Sequence, residues 1–350
     1  MNNLKALVTG GSGYFGSLLI KKLHSLGYQV GNLDINPPDY KLDDIHYHSC
    51  DIRDKVKLID EVKNYDIVFH NVAQVPLAKD KKLFFEVNEH GTRNLCEAAL
   101  QNNVRKLIYT SSSAVFGVPN SNPVNELTKP IPGESYGLAK LNAEKICQEY
   151  SNIGLPVSII RPRTIMGHGR LGIFSILFNW ISEGVNIPVL DNGNNIYQFV
   201  HAEDLADACI AASLIDSNYS VFNIGSSDYG TMRNTLENLC EYANTNSKVY
   251  SLPMKPVEMG MNVFSKLGLI PLGPYHSLMY GRSLYFDINK SKLELDYNPK
   301  FSTKKMFQES YDWYLKNIES LKNNNSVSNH KKPSNESFLI FVKYFSKFLT

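Results

Sequence analysis

The stretch ALVTGGSGYFGSLLIKKL, residues 6–23, decides the fold. It opens on short apolar and β-prone residues, closes on apolar side chains at helical spacing, and places Gly10, Gly13 and Gly16 between the two. A strand that turns through glycines directly into a helix begins a βαβ unit. Gly10 permits the tight turn, Gly13 lets the backbone approach a pyrophosphate, and Gly16 lets helix and strand pack closely. The phosphates of a dinucleotide would lie against the positive end of the helix, with Tyr14 and Phe15 in the same cofactor-binding turn.

Outward from this turn, apolar strand patterns alternate with helical periodicity. Strands are expected at Lys5–Thr9, Gln29–Asp34, Ile45–Ser49, Ile67–Asn71, Lys106–Ser111 and Val157–Arg161, and helices at Gly16–Leu26, Lys55–Val62, Phe84–Asn102 and Tyr136–Tyr150. This predicts an α/β fold, a doubly wound parallel sheet of the Rossmann kind over residues 1–161. Residues 162–320, with a helix at Ile173–Glu183 and a strand at Val221–Gly225, read as a smaller substrate-binding lobe whose chain interleaves with the first half. Asp34 ends the second strand in VGNLDIN, where a carboxylate can accept from both adenosine ribose hydroxyls and repel a 2′-phosphate. No arginine follows immediately, so NAD is expected rather than NADP. A plain turn aspartate ahead of Pro37 and Pro38 is the alternative.

With 350 residues, 43% hydrophobic and 20% charged, the chain can bury an enzyme-sized core. A net charge of +2 argues against a nucleic-acid partner and for a small-molecule substrate. Five cysteines without CxxC spacing signal neither a disulfide framework nor a zinc site, so no metal is expected and a reducing cytoplasm fits. The N-terminus lacks the succession of a cleavable signal. Residues 321–337 are polar and read as a flexible linker. Residues 338–350, FLIFVKYFSKFLT, place Phe338, Phe341, Val342, Phe345, Phe348 and Leu349 on one helical face and Lys343, Ser346, Lys347 and Thr350 on the other. From Leu321 onward there are five lysines against one glutamate. Such a tail either lies on the anionic inner face of a membrane or docks on protein, and both readings stay open.

Tyr136 and Lys140 stand four apart in YGLAK, so on a helix they face the same way. A phenol titrates near 10, and a neighbouring ammonium together with a cationic nicotinamide would bring it toward a useful base. Lys140 would also hold the nicotinamide ribose. The fifth strand runs into TSSSAVFG, residues 110–117, and puts Ser111, Ser112 and Ser113 at the carboxyl edge of the sheet, where such folds bind ligands. A serine there can hydrogen-bond the reacting oxygen, and a serine-built turn is the plain alternative.

These residues strongly resemble the extended short-chain dehydrogenase/reductase family, the NAD-dependent nucleotide-sugar epimerases and dehydratases. The resemblance runs from Leu4 to about Asn317 and rests on TGGSGYFG, Asp51 with Ile52, HNVAQVP, VNEHGTRNL, TSSSAVFG, YGLAK, RPRTIMGHGR, QFVHAEDLADA and FDINKSKLELDYNP. It implies Asp51 and Ile52 as adenine contacts, and Val72, Ala73 and Gln74 as the loop along the cofactor. It implies Asn88 near the nicotinamide, Ser112 as the catalytic serine, and the run Pro162 to Thr164 beside nicotinamide and substrate. It also implies a homodimer through a four-helix bundle. Ser113 and Ala114 stand where dehydratases carry Asp and Glu, so dehydration is not expected. Phe116 and Thr164 depart from the usual tyrosine and asparagine. Arg170 and Arg282 are candidates for a substrate diphosphate or plain surface arginines.

The expected function is epimerisation of a nucleotide sugar through transient oxidation of a hydroxyl to a ketone. The alternatives are an NAD-dependent dehydrogenase or reductase of a lipid-like alcohol such as a sterol or isoprenoid, and a non-catalytic NAD-sensing scaffold.

Overall fold

Both faces of the first strand are apolar. In β1 (Lys5–Thr9), Ala6 and Val8 enter one buried core and Leu7 enters another on the opposite face. A strand covered on both faces belongs inside a parallel sheet sandwiched by helices. The computed structural model describes residues 4–42, 44–75, 81–266 and 278–322, together with residue 343. It contains β2 (Gln29–Asp34), β3 (His46–Ser49), β4 (Ile67–His70), β5 (Lys106–Thr110), β6 (Val157–Pro162) and β7 (Tyr219–Ile224). They form one sheet in the order β7-β6-β5-β4-β1-β2-β3, every pair parallel. The seventh strand comes from beyond Pro162 and pairs with β6 from Tyr219 opposite Val157 to Ile224 opposite Pro162.

Helix α1 (Tyr14–Ser25) packs with α6 (Ala202–Leu214) on one face of the sheet. Helices α2 (Lys55–Val62), α3 (Gly91–Gln101) and α4 (Ser135–Asn152) cover the other. A separate aromatic core joins α5 (Ile173–Ser182), α7 (Met232–Ala243) and α8 (Thr303–Lys322) through Phe178, Leu236, Tyr311 and Tyr314. All five cysteines are buried and free. Among the described residues no helix is long and apolar enough to cross a membrane. Most of the expected linker and tail lies outside the described residues. Lys343 of that tail pairs with Glu183 at 3.0 Å.

Two departures from the expected elements matter for the site. Helix α1 begins at Tyr14, two residues before the expected Gly16, because Gly13 already serves as its N-cap. The single helix expected over Phe84–Asn102 is instead a π-helical stretch, Phe84–His90, running into α3. π-winding inserts an extra residue in the turn and often marks a functional position.

The sheet order reverses between β1 and β4, and the glycine turn lies at that crevice. Gly10 holds φ +70, and a Cβ on it would sit 3.0 Å from the backbone nitrogen of Val72. A Cβ on Gly16 would fall 2.1 Å from the carbonyl oxygen of Gly10, so helix and turn are in contact through bare backbone. Gly16→Ala is therefore expected to destabilise the fold by about 1–3 kcal/mol, as overpacked sites do. A lowered urea midpoint with an unchanged slope would register it.

Candidate active site

A single cavity of about 870 Å³ runs along the carboxyl edge of the sheet. Gly10, Gly13, Tyr14, Phe15, Gly16, Asp34, Asp51 and Ile52 line one end of it. Ser111, Ser112, Ser113, Tyr136, Lys140, Pro162, Thr164 and Arg170 line the other, and Val72, Ala73 and Gln74 run between. Of the residues expected to bind cofactor or substrate or to act in catalysis, Asn88 and Arg282 are absent from its wall.

The first end is built to receive an anion. Gly13 caps α1 without a side chain, and no acidic residue stands in the first helical turn. The leading backbone N–H groups of a helix have no partner inside it, and the helix dipole adds positive potential there. A Cβ on Gly13 would meet only the Gly10 oxygen, at 3.1 Å, so the approach is open. Asp34 accepts from the Ser12 backbone at 3.2 Å and the Asn36 backbone at 3.0 Å, which fixes its carboxylate at the tip of β2. Asp51 is gripped by Arg53, with Nη2 at 2.7 Å and Nε at 3.0 Å. Hydrogen bonds from Arg53 hold that carboxyl below its usual range. These features fit a dinucleotide whose diphosphate meets the α1 terminus and whose ribose meets Asp34.

At the other end, the meeting of Tyr136 with Ser112 has a local cause. Glu134 caps α4, its carboxylate accepting from the backbone of Tyr136 at 2.6 Å and of Gly137 at 2.7 Å. Gly137 lets the helix press onto the 3-10 turn Ser113–Phe116, since a Cβ there would lie 2.4 Å from the Ala114 oxygen. The Ser112 side chain then comes to the same cavity as the Tyr136 phenol, close enough to lower it. Burial pushes that phenol up to about 12, while Ser112 and the Arg170 cation work in the opposite direction.

Lys140 lies one turn further on, donating to the Thr110 carbonyl at 2.8 Å and sitting 4.7 Å over the Tyr109 ring. Burial lowers its ammonium to about 7. Arg170 is a cation that lowers the phenol, and Lys140 stands one turn away on the same helix.

Four of the residues expected at the site have side-chain partners of their own. Asn88 is buried and grips the loop along the cavity: its Oδ1 accepts from the Gln74 backbone at 2.7 Å and its Nδ2 donates to the Gln74 carbonyl at 3.0 Å. It positions that loop from behind, because the π-helical stretch turns it inward. Arg282 chelates Glu258 with both oxygens at 3.0 Å, away from the cavity. Ser111 lines the cavity, but its hydroxyl donates to Glu144 at 2.5 Å, beside the buried Arg161–Glu144 pair. Thr164 shares a 2.9 Å hydrogen bond with the Tyr197 hydroxyl, a wall residue that no motif pointed to.

Arg163, placed by the sequence only within the run Pro162 to Thr164, is 1% exposed and lines the cavity. Its Nη1 donates to the Ser113 hydroxyl at 2.7 Å, and its plane faces the Tyr197 ring at 4.6 Å. Nε and Nη2 are buried without a hydrogen-bond partner among the described residues. An unsatisfied buried donor costs about 1–3 kcal/mol and calls for an explanation.

Asn88→Ala would leave the Gln74 backbone unpaired and slacken the loop. Affinity for NAD is expected to fall about tenfold with little change in folding, given about 1–2 kcal/mol for the lost clasp. Calorimetric titration with NAD measures this, and an unchanged Kd would show the clasp to be idle.

The chain is similar along most of its length to known proteins. The profile of the NAD dependent epimerase/dehydratase family matches residues 6–225. The uncharacterized protein y4nG of Sinorhizobium fredii (strain NBRC 101917 / NGR234) is 49% identical over 340 residues, 97% of this chain and 85% of that protein. A UDP-N-acetyl-alpha-D-glucosaminuronate decarboxylase of Bacillus cytotoxicus is 28% identical over 72% of this chain and 84% of its own. Among solved structures, the UDP-glucose 4-epimerase of Thermotoga maritima, with UDP-glucose, superposes with a TM-score of 0.75 at 22% identity. That superposition covers 90% of this chain and 100% of that one. The glycine turn at the sheet's switch point, the Tyr136 and Lys140 helix and these matches together place the chain in the NAD-dependent epimerase/dehydratase family, as an NAD-dependent enzyme of the extended short-chain dehydrogenase/reductase type.

Proposed function

We propose that this enzyme epimerises a nucleotide sugar through transient oxidation of one of its hydroxyls to a ketone. The observation that carries the reading is the convergence of Ser112, Tyr136 and Lys140 in the same cavity that ends at the glycine turn. The α1 terminus and Gly13 would hold the cofactor diphosphate and Asp34 the adenosine ribose. Asp51 and Ile52 would flank the adenine, Lys140 would bond the nicotinamide ribose, and Pro162 would close the far side. When bound, NAD supplies reversible two-electron oxidation.

The chain's own part is proton management. Tyr136, as phenolate, accepts the proton of the substrate hydroxyl and returns it once the ketone is reduced from its other face. Ser112 donates to the same oxygen and orients it. The catalytic end is polar, with Ser113, Thr164, Arg163 and Arg170 in its wall. A sterol would cover these groups without matching them, which costs desolvation, so the sugar reading is favoured over the lipid alcohol.

Purified full-length protein is expected to retain dinucleotide and to interconvert epimers without added NAD. Stoichiometric release of NADH would overturn epimerisation in favour of net oxidation. Tyr136→Phe is expected to lose about 10²–10⁴-fold in kcat. Because the base works deprotonated, the oxidation half-reaction rises with pH toward the phenol's pKa. Arg170→Gln removes a charge that lowers that pKa, so its rising limb is expected at higher pH. Single-turnover formation of reduced nicotinamide across a pH series reads both, and a limb that stays in place would remove Arg170 from this role.

A further inference from the structure

Asn32 is a polar side chain out of keeping with the core around it. It stands in β2 at 0% exposure, between Gly31 and Leu33, and it takes no part in the cavity wall. Its Oδ1 has no hydrogen-bond partner among the described residues. A buried amide satisfied on one side only costs stability, so the fold alone does not account for it. Its other side is engaged: Nδ2 donates to the Ser12 hydroxyl at 3.1 Å. The chain makes room for that reach at Gly11, where a Cβ would run into the Asn32 carboxamide.

Ser12 belongs to the glycine turn and lines the cavity. Its Oγ donates to the Asn36 carbonyl at 2.7 Å, and its backbone N–H donates to Asp34 Oδ2 at 3.2 Å. Asn36 gives its own N–H to Asp34 Oδ1 at 3.0 Å. The turn after β1 and the segment after β2 are thereby closed into a ring, in which each Asp34 oxygen takes a backbone N–H. Asn32 is the strut beneath that ring.

The ring holds a negative charge in a place that is already acidic. Asp39 and Asp51 line the same end of the cavity. Arg53, the cation of the described wall there, is taken by Asp51 at 2.7 Å and Glu86 at 3.2 Å. Such a wall suits ribose hydroxyls and repels a phosphate. A carboxylate free to turn would swing aside and relieve that repulsion, whereas one pinned through both oxygens stays put. We propose that Asn32 is a positioning residue for cofactor choice: through Ser12 it fixes the Asp34 carboxylate, so that NAD is held and a 2′-phosphorylated dinucleotide is refused. This rests on Asp34 as the partner of the adenosine ribose and deepens that reading.

The test equilibrates full-length protein with equal concentrations of NAD and NADP, then releases the bound dinucleotides and counts them by mass spectrometry. Wild-type protein is expected to favour NAD by about 100-fold, the scale of a like-charge clash. Asn32→Leu keeps the side chain's shape without its donor, and its preference is expected to be about tenfold smaller, on the order of one lost hydrogen bond. Ser12→Ala is expected to match it, and the double variant to lose no more, because both changes break one chain of bonds. A merely slackened fold would weaken both dinucleotides alike and leave their ratio unchanged. An undiminished preference in folded Asn32→Leu protein, or in Ser12→Ala where the leucine variant does not fold, overturns the role of Asn32 and leaves that of Asp34 standing. A wild type indifferent between NAD and NADP overturns both.

Discussion

Everything in this molecule that bears on chemistry depends on one close approach of bare backbone. Gly10, Gly16 and the start of the Val72 loop meet where the sheet reverses direction, with no room for a single extra carbon between them. That contact sets the start of α1 at the carboxyl edge and aims its unpaired N–H groups along the cavity.

A second contact of the same kind builds the opposite end. Gly137 against the Ala114 oxygen lets α4 touch the serine turn, and Glu134 fixes where that helix starts. The phenol and the Ser112 hydroxyl meet as a result. Beneath them lies a rigid floor: Glu144 takes hydrogen bonds from Ser111 and Arg161, and His70 bridges Thr9 and Thr92 in the core. Breaking such a buried pair from one side leaves a stranded charge, so the floor resists substitution.

Much of this was legible in the chain. The six early strands, the glycine turn and the helices other than the one expected from Phe84 follow from periodicity and turn chemistry, and they recur with boundaries shifted by a residue or two. Tyr136 and Lys140 share one cavity, as their helical spacing suggested, together with Ser112, which the family resemblance implied. Less readable was whatever depends on long-range packing. The π-winding of Phe84–His90 has no simple residue signature, so Asn88 looked like a ligand and proved to brace Gln74. Arg282 was open between an anion binder and a surface arginine, and its Nη2 is seen to donate to both oxygens of Glu258 while Nη1 donates to the Leu278 carbonyl. Glu134 carried a readable signal, an acidic cap two residues before the tyrosine. Tyr197 had none, because its partner Thr164 is thirty-three positions distant.

The contrast between floor and wall bears on how such an enzyme diversifies. The Arg161–Glu144–Ser111 knot is buried and bonded within itself. The panel of Ser113, Arg163, Thr164 and Tyr197 is joined mainly to itself, through hydroxyls and ring faces. Descendants of this chain can therefore acquire new tastes by exchanging that panel one residue at a time, while the machinery for moving a proton passes down unaltered.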